Sequence, residues 1–203
     1  MKSSELLPEE LDKTLNSLEF DDEAGMLIES ISYSEADLYL TFSIRFDEDT
    51  ARQLWRVTIN GIADEFVTRD WTQSINIYNE HPLLLEYSDR YTELYFKGTT
   101  DNSEALFIEI FESLMQMADN VTDISDYLFS PERVKELSQQ GYGLFARGPK
   151  TILKLYEQCL IKQGIKPIFI GEKEPSLENR SLKLLKLGKS YFIAKNFVFE
   201  RQQ

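Results

Sequence analysis

One cysteine and one histidine, Cys159 and His81, are all that this chain of 203 residues contains of either type. A single thiol closes no internal disulfide. Neither a cysteine-based zinc site nor a metal cluster needing two histidines can be assembled from such a composition. Long apolar runs are missing as well. No stretch approaches the roughly 20 residues that cross a bilayer as a helix, and Met1 to Glu10 hold no signal-peptide core. A cytoplasmic protein without a membrane role, a metal or a cofactor is therefore expected. Disorder is excluded by what is present: 42% hydrophobic and 12% aromatic residues, enough at this length for a real core.

Positive charge is scarce in the first half. Residues 1 to 100 hold 21 acidic and 8 basic side chains, whereas residues 101 to 203 hold 14 of each, so the net −13 resides in the first half. Residues 150 to 203 are basic, with 11 cations against 5 carboxylates. A phosphate backbone would be repelled by most of such a molecule, and nucleic acid is not an expected partner.

The pattern centres on Asp101 to Ala118. Asp101 is placed to cap a helix, Glu104 to reach back to the cap amide, and Ala105, Ile108, Phe111, Leu114 or Met115, and Ala118 recur at helical spacing. Before it, Pro8, Leu11, Leu15 and Leu18 fit a short helix that ends ahead of Asp21, Asp22 and Glu23. Met26 to Tyr33 and Asp37 to Phe46 alternate as strands. Leu38, Leu40, Phe42 and Ile44 share one face of the second, which ends at Asp47, Glu48 and Asp49. Leu54 to Ile59 and Ile62 to Thr68 read as a hairpin about Asn60-Gly61, with further strands at Trp71 to Tyr78 and Tyr91 to Phe96.

After the central helix, Ser130-Pro131-Glu132 is a helix start and Gly141 its stop. Lys150 to Gln163 is a second strong helix, Ile165 to Ile170 a strand, and Leu182 to Phe199 a closing hairpin around Gly188. These elements predict an α+β fold: an antiparallel curved sheet or small barrel followed by helices, with a C-terminal β-hairpin. The expected organisation is an acidic strand-rich region, 1–118, closed by the helix, and a basic α+β region, 119–203, packed on it as one unit. The element order is similar to that of a pleckstrin-homology-like barrel with its helix, a likeness of order alone.

Candidate chemistry is sparse. Gly143 to Thr151 approaches the phosphate-binding pattern G-x-x-x-x-G-K-[ST], but one residue is inserted and Pro149 removes an amide where the lysine belongs. A glycine-rich connector at Gly141 to Pro149 with Arg147 and Lys150 would suit anion binding at most. His81 lacks the partners of a nucleophilic site, and Cys159 falls on an apolar helix face, where it is a small hydrophobe. Asp21, Asp22 and Glu23, with Asp47, Glu48 and Asp49, lack the spacing of a calcium loop and suit contact with a basic protein. Among Trp55, Trp71, Tyr78, Tyr87 and Tyr91, one or two exposed rings would serve an interface.

The expected function is thus a non-catalytic protein-binding module, of the immunity or inhibitor kind, docking a basic partner through its acidic first half. The alternatives are a small-ligand or anion-binding protein or enzyme using the Gly141 to Lys150 loop, and a subunit of a larger assembly.

Overall fold

The computed structural model describes residues 7–35, 37–46, 52–118 and 131–202. The fold is α+β, with all strand pairing antiparallel among the described residues. Two compact units divide the chain: Met1–His81 together with Ser181–Gln203, and Pro82–Arg180. The division expected after Ala118 falls inside the second unit.

The first unit is a six-stranded sheet, built from β1 (Gly25–Tyr33), β2 (Asp37–Arg45), β3 (Gln53–Phe66), β4 (Ile75–Tyr78), β8 (Lys183–Leu187) and β9 (Ser190–Gln202) in the order β1-β2-β3-β9-β8-β4. The alternation expected along β2 holds, with Leu38, Leu40, Phe42 and Ile44 all buried. They join Met26, Trp55, Val57, Ile59 and Phe192 in one core, to which helix α1 (Glu9–Leu15) adds Leu11. The sheet curves without closing into a barrel. Met26 and Thr72 exchange backbone hydrogen bonds of 2.6 and 3.1 Å, but this is an isolated bridge rather than a ladder between β1 and β4.

One turn signal is overruled. Asn60-Gly61 does not turn a hairpin but lies within the continuous strand β3, where Asn60 faces Asn196 and Ile62 faces Ala194 of β9. Gly61 takes a φ of +63°, a conformation open to glycine, close to a register shift between Ile62 and Asp64. The 13-residue β9 supplies a long-range partner, and sheet pairing outweighs the local preference. The hairpin about Gly188 forms as expected, with φ +60° there.

The second unit sets helices against a three-stranded sheet. Strands β5 (Tyr91–Lys97), β6 (Tyr142–Pro149) and β7 (Lys166–Lys173) lie in the order β6-β5-β7. Helices α3 (Ser103–Ala118), α4 (Pro131–Gln140) and α5 (Lys150–Lys162) share a core with Leu94, Phe96 and Phe145. A 3-10 turn at Pro82–Leu84 and the short helix α2 (Leu85–Ser88) lead into β5. After Gly141, the segment expected as a connector is therefore an edge strand, because β5 pairs with Tyr142–Pro149 from Tyr91 to Lys97.

Helix α3 forms where expected, but its start and face differ. Asn102, not Asp101, caps it: Asn102 Oδ1 accepts from the Ala105 N–H at 3.3 Å. The buried line is Leu106, Ile110 and Leu114, while Ile108 and Phe111 stand exposed. Apolar residues occupy nearly every position from Ala105 to Phe111, so periodicity alone leaves the facing open.

Candidate functional site

The linear charge split does not carry over to the folded units. The basic strands β8 and β9 join the acidic sheet, bringing Lys183, Lys186, Lys189, Lys195 and Arg201 with them. The first unit then holds 19 acidic and 11 basic side chains, net −8, and the second 16 and 11, net −5. Some of the cations pair locally: Arg201 with Glu10, and Lys189 with Asp70 at 3.8 Å. What remains distinctive is therefore local arrangement rather than a charged half.

One group of acids lies in the turn before β1. Asp21, Asp22 and Glu23 are all exposed. Asp21 Oδ1 accepts from the Glu23 N–H at 3.0 Å, and the Ala24 N–H donates to the Asp21 carbonyl at 3.2 Å. From across the Met26–Thr72 bridge, the Gln73 side-chain amide donates to the carbonyls of Asp21, Asp22 and Ala24 at 3.0, 3.1 and 2.9 Å. The carbonyls of Asp21, Asp22 and Ala24 and the amides of Glu23 and Ala24 are thus tied within the fold, and the three acidic side chains stand exposed.

Beside this turn stands Trp71, 47% exposed. Its indole lies against the backbone of Gly25, where an added Cβ would come within 2.5 Å of the ring. Only glycine permits that approach. Trp71, expected within a strand, belongs to an irregular segment ahead of β4. A lone aromatic between Arg69-Asp70 and Thr72-Gln73-Ser74 was the available signal of exposure. Asp47, Glu48 and Asp49 lie outside the described residues.

A second cluster tops the outer side of β1 and β2. Glu29 accepts from the Ser43 hydroxyl at 2.6 Å, from Arg45 at 3.1 Å and from Arg52 at 3.2 Å. The Ser43 hydrogen bond, against an opposing desolvation, and then the two guanidiniums hold the Glu29 carboxyl below the usual glutamate range. Arg56 lies over the Tyr39 ring at 4.4 Å. These arginines are engaged in the fold.

The loop proposed for anions is likewise engaged. Asp89 Oδ2 accepts from the Thr151 N–H at 2.6 Å, so the start of α5 already has its carboxylate. Lys150 is bound by Glu172, which Arg90 also reaches at 3.2 Å, and Arg90 pairs with Glu174 at 2.8 Å. The Glu172 carboxyl is held below its ordinary range, first by the Lys150 hydrogen bond. Arg147 is exposed on β6 opposite Glu93.

His81 is buried next to the Tyr78 ring, 5.2 Å between centroids. Cys159 is buried in the helical core, and burial pushes its thiol up, away from the reactive thiolate. Among the described residues no group of three or more His, Cys, Asp or Glu is arranged to hold a metal ion, and no helix is long and apolar enough to cross a membrane. Comparison with family models, curated proteins and solved structures gives no match to this chain.

Proposed function

We propose that this chain is a non-catalytic protein-binding module that grips a cationic partner protein through Asp21, Asp22, Glu23 and Trp71. The observation that carries it is the exposed Trp71 indole seated on Gly25 beside a turn tied down by Gln73. Tryptophan is enriched among the side chains that anchor interfaces, and its ring face attracts lysine or arginine. Three carboxylates beside it raise the encounter rate of a basic protein and disfavour an acidic one. Internal hydrogen bonding of the turn lowers the ordering cost of docking.

Neutralisation of a cationic target, as by an immunity or inhibitor protein, is the use that such a surface suits. Asp47, Glu48 and Asp49 extend the proposal and are tested by their own triple reversal. The test is capture from the native host, followed by titration of the captured protein against defined variants. A basic protein is expected, with affinity that falls as salt rises and drops about tenfold or more with Asp21, Asp22 and Glu23 changed to Lys, or with Trp71→Ala. Quenching by acrylamide adds an independent readout, because Trp55 is buried and Trp71 is open. An affinity indifferent to both changes, with Trp71 still quenched in the complex, overturns the proposal.

A further inference from the structure

Among the described residues the helices of the second unit share their core with one face of its sheet, and the other face is chemically distinct. Along β5, Thr92, Leu94 and Phe96 are buried, and Leu94 and Phe96 belong to the helical core. Tyr91, Glu93, Tyr95 and Lys97 alternate to the opposite side. The register sets their neighbours. Tyr95 lies between Leu144 and Ile168, Lys97 between Tyr142 and Lys166, and Glu93 between Arg147 and Ile170.

This face is open to solvent. Tyr142 is 57% exposed and Ile170 47%, and Lys97, Arg147 and Lys166 are exposed as well. The Tyr95 and Tyr142 rings stack at 6.2 Å, and the Tyr95 hydroxyl donates to Glu93 at 3.2 Å. An aliphatic and aromatic row rimmed by polar groups marks an interaction surface. Among the described residues of its rim, Lys97, Arg147 and Lys166 outnumber the carboxylates Glu93 and Glu86, the latter acting on Tyr91, a balance opposite in sign to a chain of net −13.

That sign selects the occupant. A second copy laid face to face would bring Lys97, Lys166 and Arg147 near their own like charges. Single-stranded nucleic acid would bring a phosphate with every nucleotide to only three cations on an acidic protein. It would also need free aromatic faces, and Tyr95 and Tyr142 already cover one another.

We propose that this face docks an acidic amphipathic segment of a partner protein, with apolar side chains on the Leu144–Tyr95–Ile168 row and carboxylates on Lys97, Lys166 and Arg147. It is a surface distinct in residues and in charge from that of Trp71.

The test is selection of a random peptide library on the whole chain, with Arg147→Glu and Ile170→Asp as separate counter-targets. Both positions are exposed, and circular dichroism of each variant confirms folding. Enriched peptides are expected to combine Asp or Glu with Leu, Ile or Phe. Each should bind at least about tenfold more weakly to either variant, and equally well to Trp71→Ala or to the Asp21, Asp22 and Glu23 reversal. No enrichment, enrichment without acidic residues, or affinity unchanged by Arg147→Glu and Ile170→Asp overturns the proposal. So does binding of oligothymidylate that these two substitutions abolish, or a wild-type mass that doubles with concentration and is restored to monomer by them.

Discussion

The two units solve the same problem with different partners in sequence. The second is contiguous, Pro82–Arg180, and most of its core comes from helices α3, α4 and α5 packed on a short sheet. The first is interrupted: its sheet needs β8 and β9, which arrive only after the whole second unit has been traversed. In the first unit β9 stands between β3 and β8, so no continuous sheet joins β3 to β4 without it. Nearby contacts form at low loop-closure cost, while pairing of Leu54 with Gln202 closes a long loop. The second unit should therefore be the autonomous one.

Separating them gives the largest expected effect. A fragment of residues 82–180 is expected to fold alone, with helical circular dichroism and a cooperative melt. Deleting residues 181–203 from the full chain should abolish the first unit's transition and leave the second's. A fragment that stays unfolded would reverse the comparison. Single cavities probe the same contrast more finely. Phe42→Ala is expected to cost about 3–5 kcal/mol, seen only in the first unit's transition. Phe145→Ala, which removes ring contacts to Phe96 and Tyr156, should cost a similar amount in the second. One shared transition lowered by both would show the units to be coupled.

The contrast also explains what could be read from the residues. Helix α5, the Gly141 stop after α4, the alternation of β2 and the Gly188 hairpin are local patterns, and each occurs where its chemistry placed it. Asn60-Gly61 misled because β9, one of the two partners of β3, lies more than a hundred residues away, and Gly143 to Pro149 because glycine spacing resembled a loop. The facing of α3 was hidden by its surplus of apolar residues. Charge misled most: segments that differ in linear sum are interleaved by the fold. For the candidate site, Asp21, Asp22 and Glu23 were legible as an exposed acidic turn, whereas Trp71 on Gly25 and the Gln73 tie needed a tertiary contact that composition does not encode.

Smaller effects come from single polar ties, one in each unit. Asp89→Ala removes the carboxylate that accepts from Thr151 and should cost about 1 kcal/mol in the second unit's transition. Gln73→Ala should cost about 1 kcal/mol in the first and, by loosening the acidic turn, weaken binding of the cationic partner as well. A Gln73→Ala protein with unaltered partner affinity would separate the turn's order from its role.

The smallest effect expected is on pH dependence, and it differs between the units through burial. Glu29 is partly covered and held low first by the Ser43 hydroxyl, whereas Glu172 is held low first by Lys150 on an exposed surface. For a carboxyl lowered in the folded state, the unfolded chain binds the proton more readily. The stabilisation is therefore complete above the ordinary glutamate range and is lost as pH falls through the folded value. Glu29→Gln should remove that acid-side slope from the first unit's transition, an effect below about 1 kcal/mol because Arg45 and Arg52 are partly solvated. Ser43→Ala should raise the Glu29 titration, followed by carboxyl NMR, more than Arg52→Gln does, since the hydroxyl is the leading cause. Added salt separates the two further. It should weaken the Arg52 contribution by screening while leaving the short hydrogen bond from the buried Ser43 in place.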